Sequence, residues 1–245
     1  MPPRERKRFQ ETARKAADML DVRGWTVSFR SPVEASVEIG GKIYVDPTST
    51  TLNLSDEGLT GLFLHEFGHS HHKMLNKEAK QKLLSRASKK QFGLWAVKIL
   101  EDLFLNDLLY SRGLSRFLIS TDLEGLRMLR RVSVERFDGL DDEQRFVLIL
   151  SLIGSYLDGM RYGSRELVDL VKSRLEWFPD YITEAVFRSY DAIKDTPVIN
   201  DVSEANRIDV VEIEKNLIDR WEEAFFRPPR EKPAHAINYK SRDIT

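Results

Sequence analysis

Two observations predict that the chain folds as an α+β protein. Runs in which apolar and polar residues alternate lie on either side of Gly40-Gly41, which predicts a β-hairpin in the first third. From about residue 56 onward, the apolar residues recur at helical spacing instead. We therefore expect a mixed core over residues 1–112, an all-helical domain or cap over 113–226, and an irregular tail over 227–245.

The N-terminal third is expected to form one helix and about three strands. Residues 4–21 place apolar side chains at helical spacing. After this segment the period changes to two, which is the spacing of a strand with one buried face. The alternation predicts strands at about 25–30, 33–39 and 42–46.

The remaining predicted elements are helices. Ser55 is a good N-cap, and Asp56 and Glu57 in the following turn favour a helix from about 56 to 75. Residues 194–204 are expected to be a linker. Helical periodicity predicts further helices at about 78–90, 92–111, 122–132, 141–158, 164–176, 179–193 and 205–226.

The amino-acid composition limits the classes of function. Apolar residues make up 41% of the 245 residues, which is enough for a hydrophobic core. The net charge of −1 does not favour a nucleic-acid partner. The absence of cysteine excludes disulfides and thiolate metal ligands, so a metal site has to use histidine and carboxylate side chains.

The sequence predicts no association with a membrane. The longest apolar run, residues 146–157, is too short to cross a bilayer and is expected to be a core helix. Residues 1–8 lack the apolar stretch of a signal peptide. We therefore expect a cytoplasmic protein, whose oligomeric state the sequence does not indicate.

Residues 65–69 read His-Glu-Phe-Gly-His, which is the pattern most specific for a chemistry in this chain. Two histidines four residues apart lie one turn apart on the same face of a helix, so both imidazoles can reach one metal ion. Glu66 lies near that face, where its carboxylate can hold a metal-bound water. This is the HExxH arrangement of zinc hydrolases, in which two histidines, here His65 and His69, bind Zn²⁺ and the glutamate is the general base.

A catalytic zinc ion usually has three protein ligands, so the motif leaves one ligand to be found. Two more histidines follow it, but the helical period points His71 away from the ion and places His72 two turns from His65. Two carboxylates, Glu101 and Asp102, stand in an apolar helical segment downstream. A buried carboxylate in such a segment needs a cation or several hydrogen-bond donors, so either one is a candidate third ligand.

A strand followed directly by an HExxH helix resembles the layout of the zincin metallopeptidases. The segment Glu-Asp-Leu-Phe-Leu-Asn-Asp over 101–107 is similar to one in predicted prokaryotic metallopeptidase domains that are found with von Willebrand A-type domains. Its position also resembles the gluzincin plan, in which a carboxylate on a second helix is the third ligand and a polar residue one turn later orients a ligand histidine. The resemblance implies Asp102 as ligand and Asn106 as the orienting residue, with Glu101 as the alternative ligand.

The resemblance implies a zincin-like core made of the N-terminal helix, a sheet of about three strands, the motif helix and the helix with the third ligand. In zincins an exposed edge strand binds an extended peptide, and the strand expected to do so here is Lys42 to Asp46. The implied function is that of a metallopeptidase with one zinc ion, which cleaves peptides or proteins with Glu66 as general base. The alternative is a zincin-fold regulatory or partner-binding protein with weak or no hydrolytic activity.

Peptidases of this kind usually add a side chain that stabilises the oxyanion. By the resemblance it would come from later in the chain. The sequence does not distinguish among four candidates, which are Tyr156, Arg161, Tyr162 and His235.

Overall fold

A computed structural model describes residues 3–28, 35–38, 42–45, 53–71, 77–87, 89, 92–129, 139–140, 142–205 and 207–226. The chain begins with helix α1 (Pro3–Met19), followed by three short strands, β1 (Thr26–Ser28), β2 (Ala35–Glu38) and β3 (Lys42–Val45). The helices that follow in the described ranges are α2 (Asp56–His71), α3 (Lys77–Ala87), α4 (Gly93–Ser111), α5 (Ser115–Met128), α6 (Asp142–Arg161), α7 (Arg165–Leu175), α8 (Asp180–Ile193), α9 (Val202–Ala205) and α10 (Val210–Phe226).

The α+β fold class predicted from the sequence is wrong, because the described chain is predominantly helical. Its strands are only three or four residues long and cannot form a layer of their own. Helices build the core, and its largest fully buried side chains include Phe9, Phe63, Phe104 and Trp221. Short alternating runs predict strands, but they do not predict how much of the core a sheet will cover. The chain therefore does not form the predicted α+β zincin-like core.

The three short strands pair in the order β1-β3-β2. As the Gly-Gly pair predicts, β2 and β3 are antiparallel, whereas β1 runs parallel to β3 on its other side. Because β3 has a partner on each side, the prediction that Lys42 to Asp46 form an exposed edge strand is wrong over Lys42–Val45. Asp46 lies outside the described residues. The strand that contacts α2 is β2.

Several helix ends differ from the predictions. Helix α5 begins at Ser115 rather than at about 122, because Gly113, with a φ of +75°, ends α4 and turns the chain at once. The helix predicted over 205–226 begins only at Val210, as α10, and the short helix α9 lies mainly within the predicted linker over 194–204. The predicted helix over 56–75 is described as far as His71. Its N-cap is confirmed, since Ser55 Oγ accepts a hydrogen bond from the Gly58 amide at 3.1 Å.

Helix α2 packs against α1, α4 and α5. Two of its glycines allow close contact. A methyl group on Gly61 would lie 2.1 Å from the carbonyl oxygen of Phe117 on α5, and one on Gly68 would lie 2.6 Å from Leu105 on α4. Gly68 directly precedes His69, so α4 approaches α2 at the motif itself.

The division into residues 1–112 and 113–226 stays a prediction. The helices after residue 112 nevertheless lie next to the motif, since α5 packs on α2 and α6 packs on α4. The predicted tail over 227–245 lies outside the described residues.

The longest apolar run lies on α6, which buries Leu152, Ile153 and Leu157 in the core. The prediction of a core helix is confirmed at these positions. Among the helices that the structure describes, none is both long enough and apolar enough to cross a bilayer.

Candidate metal centre

The HExxH motif lies on α2, which begins at Asp56 and continues through both histidines. The rings of His65 and His69 are 4.6 Å apart between centroids, and their Nε2 atoms approach to 3.0 Å. Their side chains are 23% and 30% exposed, so the imidazoles lie at the edge of the interior. The one-turn spacing therefore brings two ring nitrogens to one point.

Asp102 on α4 supplies a third atom at this point. Its Oδ1 lies 3.0 Å from His69 Nε2 and 3.6 Å from His65 Nε2, and all three atoms lie within 4.8 Å of one another. Atoms that each lie about 2.0–2.1 Å from a tetrahedral zinc ion are about 3.3 Å from one another, so the spacing fits this ion. The Asp102 Oδ1 atom is buried and has no hydrogen-bond partner within the described structure. This donor set is suited to a cation.

Of the two carboxylates left open by the sequence, the structure brings Asp102 and not Glu101 to the histidines. Glu101 Oε1 instead lies 2.6 Å from Nζ of Lys80 on α3. Adjacent residues on a helix point about 100° apart, which is why one carboxylate faces α2 and the other faces α3. The assignment of Asp102 as a ligand remains a prediction.

Asn106 lies one turn after Asp102, on the opposite side of the His65 ring from the triad. Its Oδ1 is 3.0 Å from His65 Nδ1, so it can accept a hydrogen bond from that nitrogen. Its Nδ2 donates to Asp158 Oδ2 at 2.7 Å. A hydrogen bond at Nδ1 leaves Nε2 as the nitrogen with a free lone pair, which is the tautomer that a metal ligand at Nε2 requires.

Burial and the neighbouring charges shift the pKa values at the site. Burial disfavours a charged His65, but the neighbouring Asp102 carboxylate outweighs this effect and raises the pKa of His65 to about 9. Burial likewise opposes the charge of Asp102, yet the neighbouring imidazoles of His65 and His69 hold the pKa of its carboxyl well below the usual range. In the metal-free protein, His65 is therefore protonated at neutral pH.

The net pKa shift of the Glu66 carboxyl is opposite to that of the Asp102 carboxyl. Burial raises the pKa of the Glu66 carboxyl above its usual value, and the nearby charges of His65 and His69 lower it only in part. A carboxylate with a raised pKa is a stronger base than an ordinary glutamate, which suits a residue that has to take a proton from water.

The side chains considered for oxyanion stabilisation have their described contacts elsewhere. Arg161 donates to both carboxylate oxygens of Asp107 at 2.9 and 2.5 Å, and Tyr162 donates to the same carboxylate at 3.1 Å. Tyr156 packs against two aromatic rings of α8. These contacts are made with Asp107 and with α8 and not with the triad.

The remaining histidines cannot be assigned a place at the site. His72 and His235 lie outside the described residues, and His71 is described only as part of the α2 backbone. The triad of His65, His69 and Asp102 therefore stands on described atoms alone.

Sequence reasoning missed two residues near the triad. The Lys98 ammonium lies 3.9 Å from Asp102 Oδ2, and only its one-turn spacing from Asp102 could have indicated this contact. Asp158 is only 4% exposed and accepts the hydrogen bond from Asn106. A lone acid at the end of the apolar run on α6 is the same signal that identified Asp102, and it was available in the sequence.

No family model, curated protein or solved structure matches this chain. A function therefore has to be argued from the residues of the chain and their geometry.

Proposed function

We propose that this protein is a zinc-dependent peptidase in which His65, His69 and Asp102 hold the metal ion and Glu66 is the general base. One observation carries the proposal. Three ligand atoms of suitable chemistry converge within 4.8 Å of one another, and the charges of His65 and His69 act on the neighbouring Glu66 carboxyl. The HExxH spacing and the similarity of the 101–107 segment to metallopeptidase domains support the same reaction.

The donor set fits zinc better than a harder cation. Two imidazole nitrogens and one carboxylate oxygen match a catalytic zinc site, whereas magnesium and calcium prefer oxygen ligands alone. Three protein ligands leave a coordination position open for water or substrate. When bound, zinc would supply positive charge that polarises a carbonyl group and acidifies water.

The residues of the chain would do the proton transfer. Glu66 would take a proton from the attacking water and deliver it to the amine that leaves when the peptide bond breaks. Its raised pKa favours the first of these steps, since a carboxylate with too low a pKa takes a proton from water too weakly. His65 would be held by Asn106 with Nδ1 protonated.

The substrate class that we propose is an extended peptide or an unfolded segment of a protein in the cytosol. β2 contacts α2 and, within the described sheet, pairs with β3 on one side only. A strand with an open edge can add an extended peptide through backbone hydrogen bonds. The peptide-binding edge is therefore proposed to be β2 and not β3.

The first test is the zinc content of the purified protein and of matched variants. We expect about one zinc ion per wild-type chain. Zinc should be lost in His69→Ala and Asp102→Ala but kept in Glu101→Ala, which removes the adjacent carboxylate that pairs with Lys80. A wild-type chain that binds no zinc would defeat the proposal, and loss of zinc from Glu101→Ala alone would reject the ligand set.

A second test addresses hydrolysis. Glu66→Gln should bind zinc as the wild type does and lose the cleavage of unfolded protein substrates and peptide libraries by at least about 100-fold. Turnover that persists in this variant would exclude Glu66 as the base. A zinc-loaded wild type that cleaves nothing would favour the partner-binding alternative.

A further inference from the structure

Behind His65, hydrogen bonds join side chains from three helices, and a carboxyl from a fourth helix lies next to the last of them. His65 on α2 donates to Asn106 on α4, and Asn106 donates to Asp158 on α6. Asp158 in turn lies next to Asp122 on α5, close enough for each carboxyl to shift the pKa of the other. The last two residues belong to the helical segment after residue 112, for which the sequence indicated no role.

The two aspartates form a buried acid pair. Asp158 is 4% exposed, and one oxygen of Asp122 is buried without a hydrogen-bond partner in the described residues. Burial raises the pKa of both groups, and the charge of Asp122 raises that of Asp158 further, so the two carboxyls disfavour being ionised together. Asp158 Oδ2 remains the acceptor that faces Asn106.

An acceptor at this position fixes the direction of the Asn106 amide. An amide has a donor end and an acceptor end, and it can be turned by 180° with little change in shape. Asp158 accepts a hydrogen bond at Oδ2, so it selects the orientation in which the NH₂ group faces α6. The carbonyl oxygen then faces His65 and can only accept a hydrogen bond.

The opposite orientation would disable the ligand. An NH₂ group that faced His65 would require Nδ1 to be the acceptor, and the ring proton of a neutral imidazole would then lie on Nε2. A protonated Nε2 cannot bind a metal ion.

We propose that Asp158, braced by Asp122, is a positioning residue that sets the orientation of Asn106 and thereby keeps His65 Nε2 free to bind the metal. The inference rests on the proposed function, since it concerns the same metal centre. It also assigns a role to the helical segment after residue 112, because α6 carries Asp158 and α5 carries Asp122.

The test compares zinc affinity among variants by competition with a chromophoric chelator. Asp158→Asn keeps the shape of the side chain but allows either end of its amide to face Asn106. We expect this variant to bind zinc about 10- to 100-fold more weakly than the wild type. Its Co²⁺-loaded form should also show a changed visible spectrum, because one ligand is no longer held in place.

A double variant tests the mechanism by reversing the hydrogen bond. In Asn106→Asp with Asp158→Asn, the new carboxylate at position 106 can accept from His65 Nδ1, and the new amide at position 158 can donate to it. We expect zinc affinity within about threefold of the wild type, although each partner has been exchanged.

Asp107→Asn is the matched control. It removes an equally buried aspartate from α4, but one that pairs with Arg161 and not with Asn106. We expect it to lower the stability of the metal-free protein and to leave the zinc affinity of the folded protein unchanged. If Asp158→Asn is too unstable to purify, Asp122→Asn is the substitute. It removes the carboxyl that supports Asp158, and it should also lower zinc affinity.

The outcomes separate this inference from the proposed function. If the wild type binds zinc and Asp158→Asn binds it equally tightly, the positioning role is overturned while the metal site stands. A double variant that binds as weakly as Asp158→Asn overturns the orientation mechanism. A wild type without zinc removes both proposals.

Discussion

Two aspartates on α4 both stand next to apolar residues in the sequence, but their carboxylates have different partners in the folded protein. Asp107 is fully buried and is surrounded by donors from Arg161, Tyr162 and the Ile199 amide. Asp102 is buried only in part, and its inner oxygen faces two imidazoles with no hydrogen-bond partner in the described structure. One carboxylate is satisfied by the protein, and the other is suited to a cation.

The comparison shows how a structural acid can be told from a candidate ligand. Arg161 pairs with Asp107 and also donates to the carbonyl oxygens of Thr196 and Pro197, so this ion pair holds the segment after α8 against α4. Every bond of that cluster is made within the protein. At Asp102 the carboxylate oxygen instead lies together with two imidazole nitrogens in a group that could hold a metal ion.

The largest expected effect is on stability at Asp107. Asp107→Asn leaves the Arg161 side chain, which is 4% exposed, as a buried charge without its ionised partner. We expect the free energy of unfolding to fall by about 3–5 kcal/mol, measured by urea denaturation in the presence of a chelator. Asp102→Ala, tested in parallel, should lower it by less, about 2–3 kcal/mol at neutral pH, because it removes the partner that raises the pKa of His65.

Adding Arg161→Met to the Asp107 variant should restore part of the lost stability, because it removes the unpaired charge. Equal losses of stability at Asp102 and Asp107 would mean that the two sites do not differ as the structure indicates.

The pH dependence of the metal-free protein should separate the two aspartates next. The pKa of His65 rises from 6.5 to about 9 in the folded state, so its contribution to stability is fully present below pH 6.5 and is lost as the pH rises through about 9. We expect the free energy of unfolding to fall by about 2–3 kcal/mol over this interval. The measurement is a series of urea denaturations between about pH 6 and about pH 10, with chelator present.

Asp102→Ala should flatten this pH dependence, because it removes the partner that raises the pKa of His65. Asp107→Asn should retain the slope at a lower overall stability. A wild-type protein with no loss of stability over the interval would argue against an ion pair between His65 and Asp102.

A smaller effect is expected where α2 and α4 meet. Gly68→Ala would place a methyl group 2.6 Å from a methyl group of Leu105, which is fully buried. We expect a loss of about 1–2 kcal/mol in stability and weaker zinc binding, since the two helices have to move apart. Adding Leu105→Ala should relieve the clash and recover zinc affinity, and a Gly68→Ala protein with unchanged zinc affinity would contradict this view of the contact.

The smallest effect is expected at Lys98. Its side chain is 56% exposed, and its ammonium lies 3.9 Å from the outer oxygen of Asp102. Lys98→Met should change stability by no more than about 0.5 kcal/mol and zinc affinity by less than about threefold, measured by the same denaturation and chelator assays. A larger loss of zinc affinity would show that Lys98 helps to position Asp102.

Local patterns predicted the elements better than the fold class. The positions of α1, α4 and α8 and the Ser55 cap follow from residues close in sequence, because hydrogen bonds within a helix are local. The size of the sheet does not follow in this way. Whether a short alternating run becomes part of a sheet layer depends on what packs against it, and here helices form the core.

The sequence by itself determined that His65 and His69 face one point, because a helix places residues four apart on the same side. It also limited the candidates for the third metal ligand to two neighbouring carboxylates, Glu101 and Asp102. Only the tertiary structure decided between them, since the rotation of α4 turns Asp102 towards α2 and Glu101 towards Lys80. It alone placed Asp158 and Asp122 behind His65, because an acid in an apolar run can be recognised in the sequence but the distant helix that it contacts cannot.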